Sequence, residues 1–274
     1  MTKKYWSQRK GINAKFDLNG LKRSFKSVFQ KYYQQDYYQE FFGYYCVDQG
    51  DVPGKAGNDI SEYIFRKTRR EVEWPLIDNL DKLDEDFLFD MIEFMHDCIS
   101  KPVDGYYHSY SGCGYHYNSF NAISGQEEFR QDINPMLNDY SDGYELNNFG
   151  EIVLLLTPGL KELTEASIPA KENESKSIKI KMERAIKKYR DRHSNFDDRK
   201  DALRELADVL EFLRPTVKTE LLTKDENDLF HIANNFAVRH NNAKQRDDYG
   251  PAWLSWIFYL YLATIHLCLR LRDK

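Results

Sequence analysis

Two stretches gather the residue types best suited to chemistry. The first is Arg239-His240-Asn241-Asn242-Ala243-Lys244-Gln245-Arg246-Asp247-Asp248-Tyr249, a polar connection between two apolar helical patterns. Arg239 offers a planar guanidinium that can grip a phosphate through two parallel hydrogen bonds. His240 is a proton carrier, because an unperturbed imidazole titrates at about 6.5. Asn235, Asn241, Lys244, Arg246, Asp248 and Tyr249 add amides, cations, a carboxylate and a phenol, so they are the candidate binding residues around a candidate catalytic pair, Arg239 and His240. Consecutive helical side chains diverge by about 100°, so the pair need not converge on one atom. The same two cations also suit a helix C-terminus, where the backbone dipole favours positive charge. The second stretch, residues 104–121, is rich in tyrosine and glycine and contains His108, Cys113 and His116. This His-x4-Cys-x2-His spacing can supply three metal ligands, or a thiol with a base. A metal site needs a fourth group or an open water position together with groups that orient the ligands, and the spacing shows neither. The expectation is therefore a tyrosine-rich loop packed on its domain, with no metal and no cofactor.

The first stretch must be positioned by the helices on either side. Thr223-x-x-Glu226 is a capping box, and Leu229, Phe230, Ala233, Phe236 and Ala237 follow on one helical face up to His240. Gly250-Pro251 starts the next helix, since proline fits a first helical turn, and residues 252–269 run for eighteen residues without a charge. Such a helix is expected to be buried nearly all round. Its length approaches that of a membrane span. Ser255, Tyr259, Tyr261, Thr264 and His266 within it favour a bundle helix whose polar groups find protein partners, so no membrane is assigned.

Earlier in the chain, one long amphipathic helix is expected from a cap at Asn19, through Leu21, Phe25, Val28, Phe29 and Tyr32, to Phe41–Phe42. Its interleaved lysines and tyrosines are read as packing surface in preference to a stacking surface for nucleic acid. Residues 44–57, with glycines and Pro53, read as a loop. Asn58 caps a second helix that ends before Trp74-Pro75, and a third follows Asp84 with Phe87, Leu88, Met91, Ile92, Met95 and Ile99 as its stripe. A helix over 126–140, reset at Pro135, leads to a hairpin near 144–156 whose turn is Asn147 to Gly150. Residues 157–177, rich in Pro, Glu, Lys and Ser, read as a linker, and helices over 178–193 and from Ser194 or Asp197 to Pro215 precede the two already described. The fold class is therefore mainly α: an N-terminal helical region, 1–156, with a tyrosine-rich loop and one small β-hairpin, then a four-helix bundle over 178–274.

Charge is uneven. Residues 1–31 hold nine Lys/Arg against one acid, residues 48–97 six against fourteen, and residues 171–192 nine against four, so the overall −5 predicts no partner. The two basic segments suit either a solvated helix face or contact with phosphates. Four cysteines, Cys46, Cys98, Cys113 and Cys268, show no paired spacing, and the basic N-terminus lacks an apolar core segment; reduced thiols and a cytoplasmic location are expected.

A C-terminal bundle whose penultimate helix ends in Asn234-Asn235-Phe-Ala-Val-Arg239-His240-Asn241 resembles the HEPN superfamily of prokaryotic defence and toxin proteins. The preceding Gln126-Glu-Glu-Phe-Arg130, Ile133-Asn134, Tyr144-Glu-Leu and Gly150-Glu-Ile152 are similar to the regions that accompany such bundles in AbiJ-like abortive-infection proteins. The resemblance covers residues 125–272. It implies antiviral defence, homodimers, and metal-independent RNA cleavage by an arginine and a histidine at a groove between protomers. Arg239 and His240 match the first two positions of the family's Arg-polar-x3–5-His motif, but Lys244, Gln245 and Arg246 stand where its closing histidine belongs. The expectation is thus a ribonuclease using Arg239 and His240, or a relative that binds RNA or a protein partner without cutting.

Overall fold

The computed structural model describes residues 5–12, 15–156, 160–166, 175–220, 227–231 and 250–272. The protein is mainly α-helical with small hairpins, and it divides into two units, Met1–Leu155 and Leu156–Lys274.

In the first unit a short helix α1 (Trp6–Arg9) precedes α2 (Leu18–Gln34). The cap of α2 is Asp17, not Asn19: its carboxylate accepts from the Gly20 N–H. Leu21, Phe25, Val28, Phe29 and Tyr32 recur at helical spacing and are all buried. The expected single helix to Phe42 is broken, because Asp36 adopts a left-handed conformation with φ 61° and only then does α3 (Gln39–Phe42) begin. Helix α4 (Ile60–Thr68) is capped by Asp59 instead of Asn58, and it stops where Arg69 turns left-handed. Helix α5 (Glu85–Cys98) starts from the predicted Asp84 cap, which accepts from the Phe87 N–H and also pairs with Arg70. Helix α6 (Ala122–Asn138) continues past Pro135 instead of breaking or resetting there, since the missing N–H forfeits a single intrahelical bond.

Helix α2 packs on α5 and α6, so that Phe25, Tyr32, Leu88, Met91, Met95, Phe129, Ile133 and Leu137 meet in one core. Phe129, fully buried, sets its ring edge-on to Tyr32 at 5.8 Å. Each such apolar side chain contributes about 1.5–3 kcal/mol by leaving water.

Strand is more extensive than the one hairpin expected. Residues 44–57 include a hairpin, β1 (Tyr44–Cys46) with β2 (Gly50–Val52). The stretch read as a tyrosine-rich loop is a longer hairpin, β3 (Lys101–His108) with β4 (Gly114–Asn121). Tyrosine favours strand, and the two strands are joined by residues 109–113, a 3-10 turn over Tyr110–Gly112 in which Ser111 and Gly112 both have positive φ. The third hairpin, β5 (Tyr144–Leu146) with β6 (Ile152–Leu154), stands where the sequence placed it.

The second unit begins at Leu156, the last residue assigned to the N-terminal region, and takes in the stretch read as a linker. Leu156, Leu160 and Leu163, the last in helix α7 (Lys161–Glu165), pack on its core. Helices α8 (Ser175–Arg190) and α9 (Phe196–Phe212) follow, the latter with a capping box in which Asn195 and Asp198 satisfy each other's backbone N–H. A helix the periodicity did not show, α10 (Arg214–Glu220), holds Pro215 in its first turn. Helix α11 (Pro251–Arg272) packs on α9 and α10. By length and composition α11 is able to cross a membrane, yet Ile257, Phe258, Tyr261, Leu262 and Ile265 are buried among protein neighbours. The expectation that its polar groups find protein partners is met in part: Ser255 meets Tyr189 Oη of α8 at 3.3 Å, whereas Thr264 donates to the Leu260 carbonyl of its own helix and His266 Nδ1 is buried without a hydrogen-bond partner. Burial all round is corrected, since Trp253, Trp256 and Leu267 are exposed on one side.

Candidate functional site

The predicted pair Arg239 and His240, with Asn235, Asn241, Lys244, Arg246, Asp248 and Tyr249, lies outside the described residues. Among the described residues the chemistry-bearing cluster is the second candidate, joined by a cysteine that the sequence did not connect to it. Cys46, His108, Cys113 and His116 place one donor atom each within 4.8 Å of all the others.

The hairpin register explains the convergence. His116 of β4 stands opposite Tyr106 of β3, and His108 lies two residues beyond Tyr106, so the period of two puts both imidazoles on one face. Their ring centres are 5.4 Å apart. The register requires Gly105, because a Cβ there would stand 2.4 Å from the His116 carbonyl oxygen. Cys113 closes the turn between the strands, and its Sγ folds back to 3.2 Å from His116 Nε2. The fourth member comes from another hairpin: Cys46 ends β1, with Sγ 3.9 Å from His108 Nδ1. Cys46 and His116 are each only 2% exposed, whereas Cys113 and His108 are half-buried.

Gln39 of α3 holds the long hairpin against the helical core. Its side chain donates to the Tyr115 carbonyl at 2.9 Å and accepts the Tyr117 N–H at 2.7 Å, in effect pairing with the edge of β4. Lys101, at the start of β3, donates to Glu128 of α6 at 2.7 Å, and Tyr37 donates to the other oxygen of the same carboxylate at 2.6 Å. The Lys101 ammonium and then the Tyr37 hydroxyl hold Glu128 below the usual carboxylate range.

The imidazole atoms turned away from the cluster also have partners. His108 Nε2 lies 3.3 Å from Asp48 Oδ2, and His116 Nδ1 lies 3.1 Å from Tyr106 Oη. With Nε2–H of His108 donating to Asp48 and Nδ1–H of His116 donating to Tyr106, the lone pairs of His108 Nδ1 and His116 Nε2 face the two sulfurs. Two thiols and two imidazoles so arranged can hold a soft or borderline divalent metal. The Cys113–His116 contact taken alone also has the reach of a thiol with its base.

The other face of β3–β4 carries tyrosines. Tyr107 and Tyr115 pair across the strands at 5.1 Å, and Tyr115 stacks on Tyr117 at 5.5 Å, with Tyr107 and Tyr115 more than half solvent-exposed or close to it, at 58% and 50%.

His108, Cys113 and His116 were legible as a trio because sequence spacing reveals ligands on one hairpin. Cys46 and Asp48 were not, since Cys46 stands 62 residues before His108 and its place depends on which hairpins meet. Comparison with protein-family models, curated proteins and solved structures finds no match to this chain.

Proposed function

We propose that this chain is an HEPN-like protein of prokaryotic antiviral defence that binds RNA through the connection at 239–249, with Arg239 as the principal phosphate ligand. What supports the reading is the separate helical unit from Leu156 onward, packed around helix α11 with its charge-free run 252–269, taken together with the Arg239-His240-Asn241 pattern that precedes that helix in sequence. A phosphate site at the rim of two helix ends needs a rigid backing of this kind. The bundle topology, homodimerisation and a cytoplasmic location belong to the same proposal.

Cleavage would require Arg239 to stabilise charge on the phosphorane while His240 moves the proton of an attacking 2′-hydroxyl. Lys244, Gln245 and Arg246 occupy the place of the family's closing histidine, so the chain is better equipped to hold RNA than to turn it over.

The test is binding and decay of single-stranded RNA by the full chain, with and without magnesium. Arg239→Ala is expected to weaken binding by the worth of a charge-assisted phosphate contact, about 1.5–3 kcal/mol, while leaving the thermal melt unchanged. Cleavage, where it occurs, is expected to need no magnesium and to disappear with His240→Ala. A wild-type chain that binds no RNA contradicts the proposal and favours an interaction module, for which the exposed Tyr106, Tyr107, Tyr110 and Tyr115 are the observation.

A further inference from the structure

We infer that Cys46, His108, Cys113 and His116 form a closed Cys2His2 site for one zinc ion, which clamps hairpin β3–β4 to hairpin β1–β2. This inference is independent of the RNA-binding proposal, since it rests on other residues in the other unit.

Four observations carry it. The donor set is two sulfurs and two imidazole nitrogens, the combination that tetrahedral zinc prefers. The spacing is right: zinc–sulfur and zinc–nitrogen bonds of about 2.3 and 2.0–2.1 Å imply donor–donor edges of about 3.3–3.8 Å in a tetrahedron. Here the measured edges are 3.2 Å for Cys113–His116 and 3.9 Å for Cys46–His108, and no pair exceeds 4.8 Å. Each imidazole has its remote nitrogen beside a partner able to accept its N–H, the Asp48 carboxylate for His108 and the Tyr106 hydroxyl for His116, and with those N–H groups so placed each ring presents a lone pair to the metal. Finally, the cluster is largely withdrawn from water, with Cys46 and His116 buried.

A catalytic reading of the same residues fits less well. Catalytic zinc keeps one of its positions for water or substrate, whereas this set fills all four from the protein. A cysteine nucleophile with its base would leave Cys46 and His108 unexplained.

The fold has a use for such a clamp. A two-stranded hairpin is marginal by itself in water. Cys46 and His108 are separated by 62 residues, so one ion joins segments distant in the chain and restricts the unfolded ensemble accordingly. On binding, the two thiols lose their protons to solvent and the ion takes their place between the sulfurs and nitrogens. The clamped hairpin then presents Tyr107 and Tyr115 on a fixed surface.

The experiment is metal analysis of the full chain purified without chelator, followed by removal of the metal and titration with zinc or cobalt(II) against a chromophoric chelator. One zinc per chain is expected. Cobalt is expected to give the absorption of a tetrahedral site together with sulfur-to-metal charge transfer. Cys46→Ala and His116→Ala should lose the stoichiometric ion, His108→Cys should keep it, and Cys98→Ala, a core thiol outside the cluster, should bind as the wild type does. Asp48→Ala and Tyr106→Phe should each lower zinc affinity about 10–100-fold, the range for partners that orient ligands. Should a ligand variant fail to fold, the wild-type titration still decides. A wild-type chain that takes up neither ion, or a Cys46→Ala chain that holds zinc as tightly as the wild type, overturns the inference.

Discussion

At the scale of single residues, buried polar groups separate those held by partners from those that are strained. His116 is buried with both nitrogens occupied, by Tyr106 and Cys113. His266 of α11 is buried with Nδ1 unpartnered, and burial holds its pKa below the ordinary 6.5; Arg270 pushes the same way, while a backbone contact with Leu163 opposes. The folded protein therefore resists a proton that the unfolded chain accepts. Stability of the second unit should fall as pH drops from about 6.5 toward the lower folded pKa, and then level off below it. Replacing His266 with Leu should flatten that part of the profile, measured as the melting temperature of the full chain at a series of pH values. A profile equally steep in the variant would show that His266 is not the group responsible.

At the scale of elements, periodicity located the helices because it records one buried face, and Phe25, Phe29 and Tyr32, or Leu88, Met91 and Met95, are such faces. What it missed depended on conformations or contacts with no local signature. The break after Gln34 needs Asp36 to turn left-handed, and a run with Tyr32, Tyr33, Tyr37 and Tyr38 does not announce it. Residues 104–121 read as a loop because glycine and serine punctuate the tyrosines, yet Gln39 supplies the edge pairing that holds them as strand. Three of the four residues of the cysteine–histidine cluster, His108, Cys113 and His116, were visible; Cys46 was hidden by distance along the chain. Gly105 tests the hairpin directly. A Cβ at this position would meet the His116 carbonyl at 2.4 Å and the Tyr117 Cα at 2.8 Å. Gly105→Ala should therefore cost about 1–3 kcal/mol, the usual penalty of overpacking, and displace His116 from its partners. Denaturant unfolding gives the cost, and a variant as stable as the wild type would show that the strands part without penalty.

At the scale of the molecule there are two cores: one centred on α2, α5 and α6 lies in the unit that carries the cysteine–histidine cluster, and the other surrounds α11 in the second unit. A metal clamp confined to the first unit predicts asymmetric behaviour. In calorimetry of the full chain, a strong chelator should lower the transition of the first unit and leave that of the second in place, because a ligand stabilises only the unit that binds it. Equal shifts of both would contradict separate units. The most direct test of the metal assignment is X-ray absorption at the zinc edge on the full chain loaded with one equivalent of zinc. A Cys2His2 site gives a first shell of two sulfurs at about 2.3 Å and two nitrogens at about 2.0–2.1 Å. A shell of oxygen and nitrogen without sulfur, or of one sulfur alone, would contradict it.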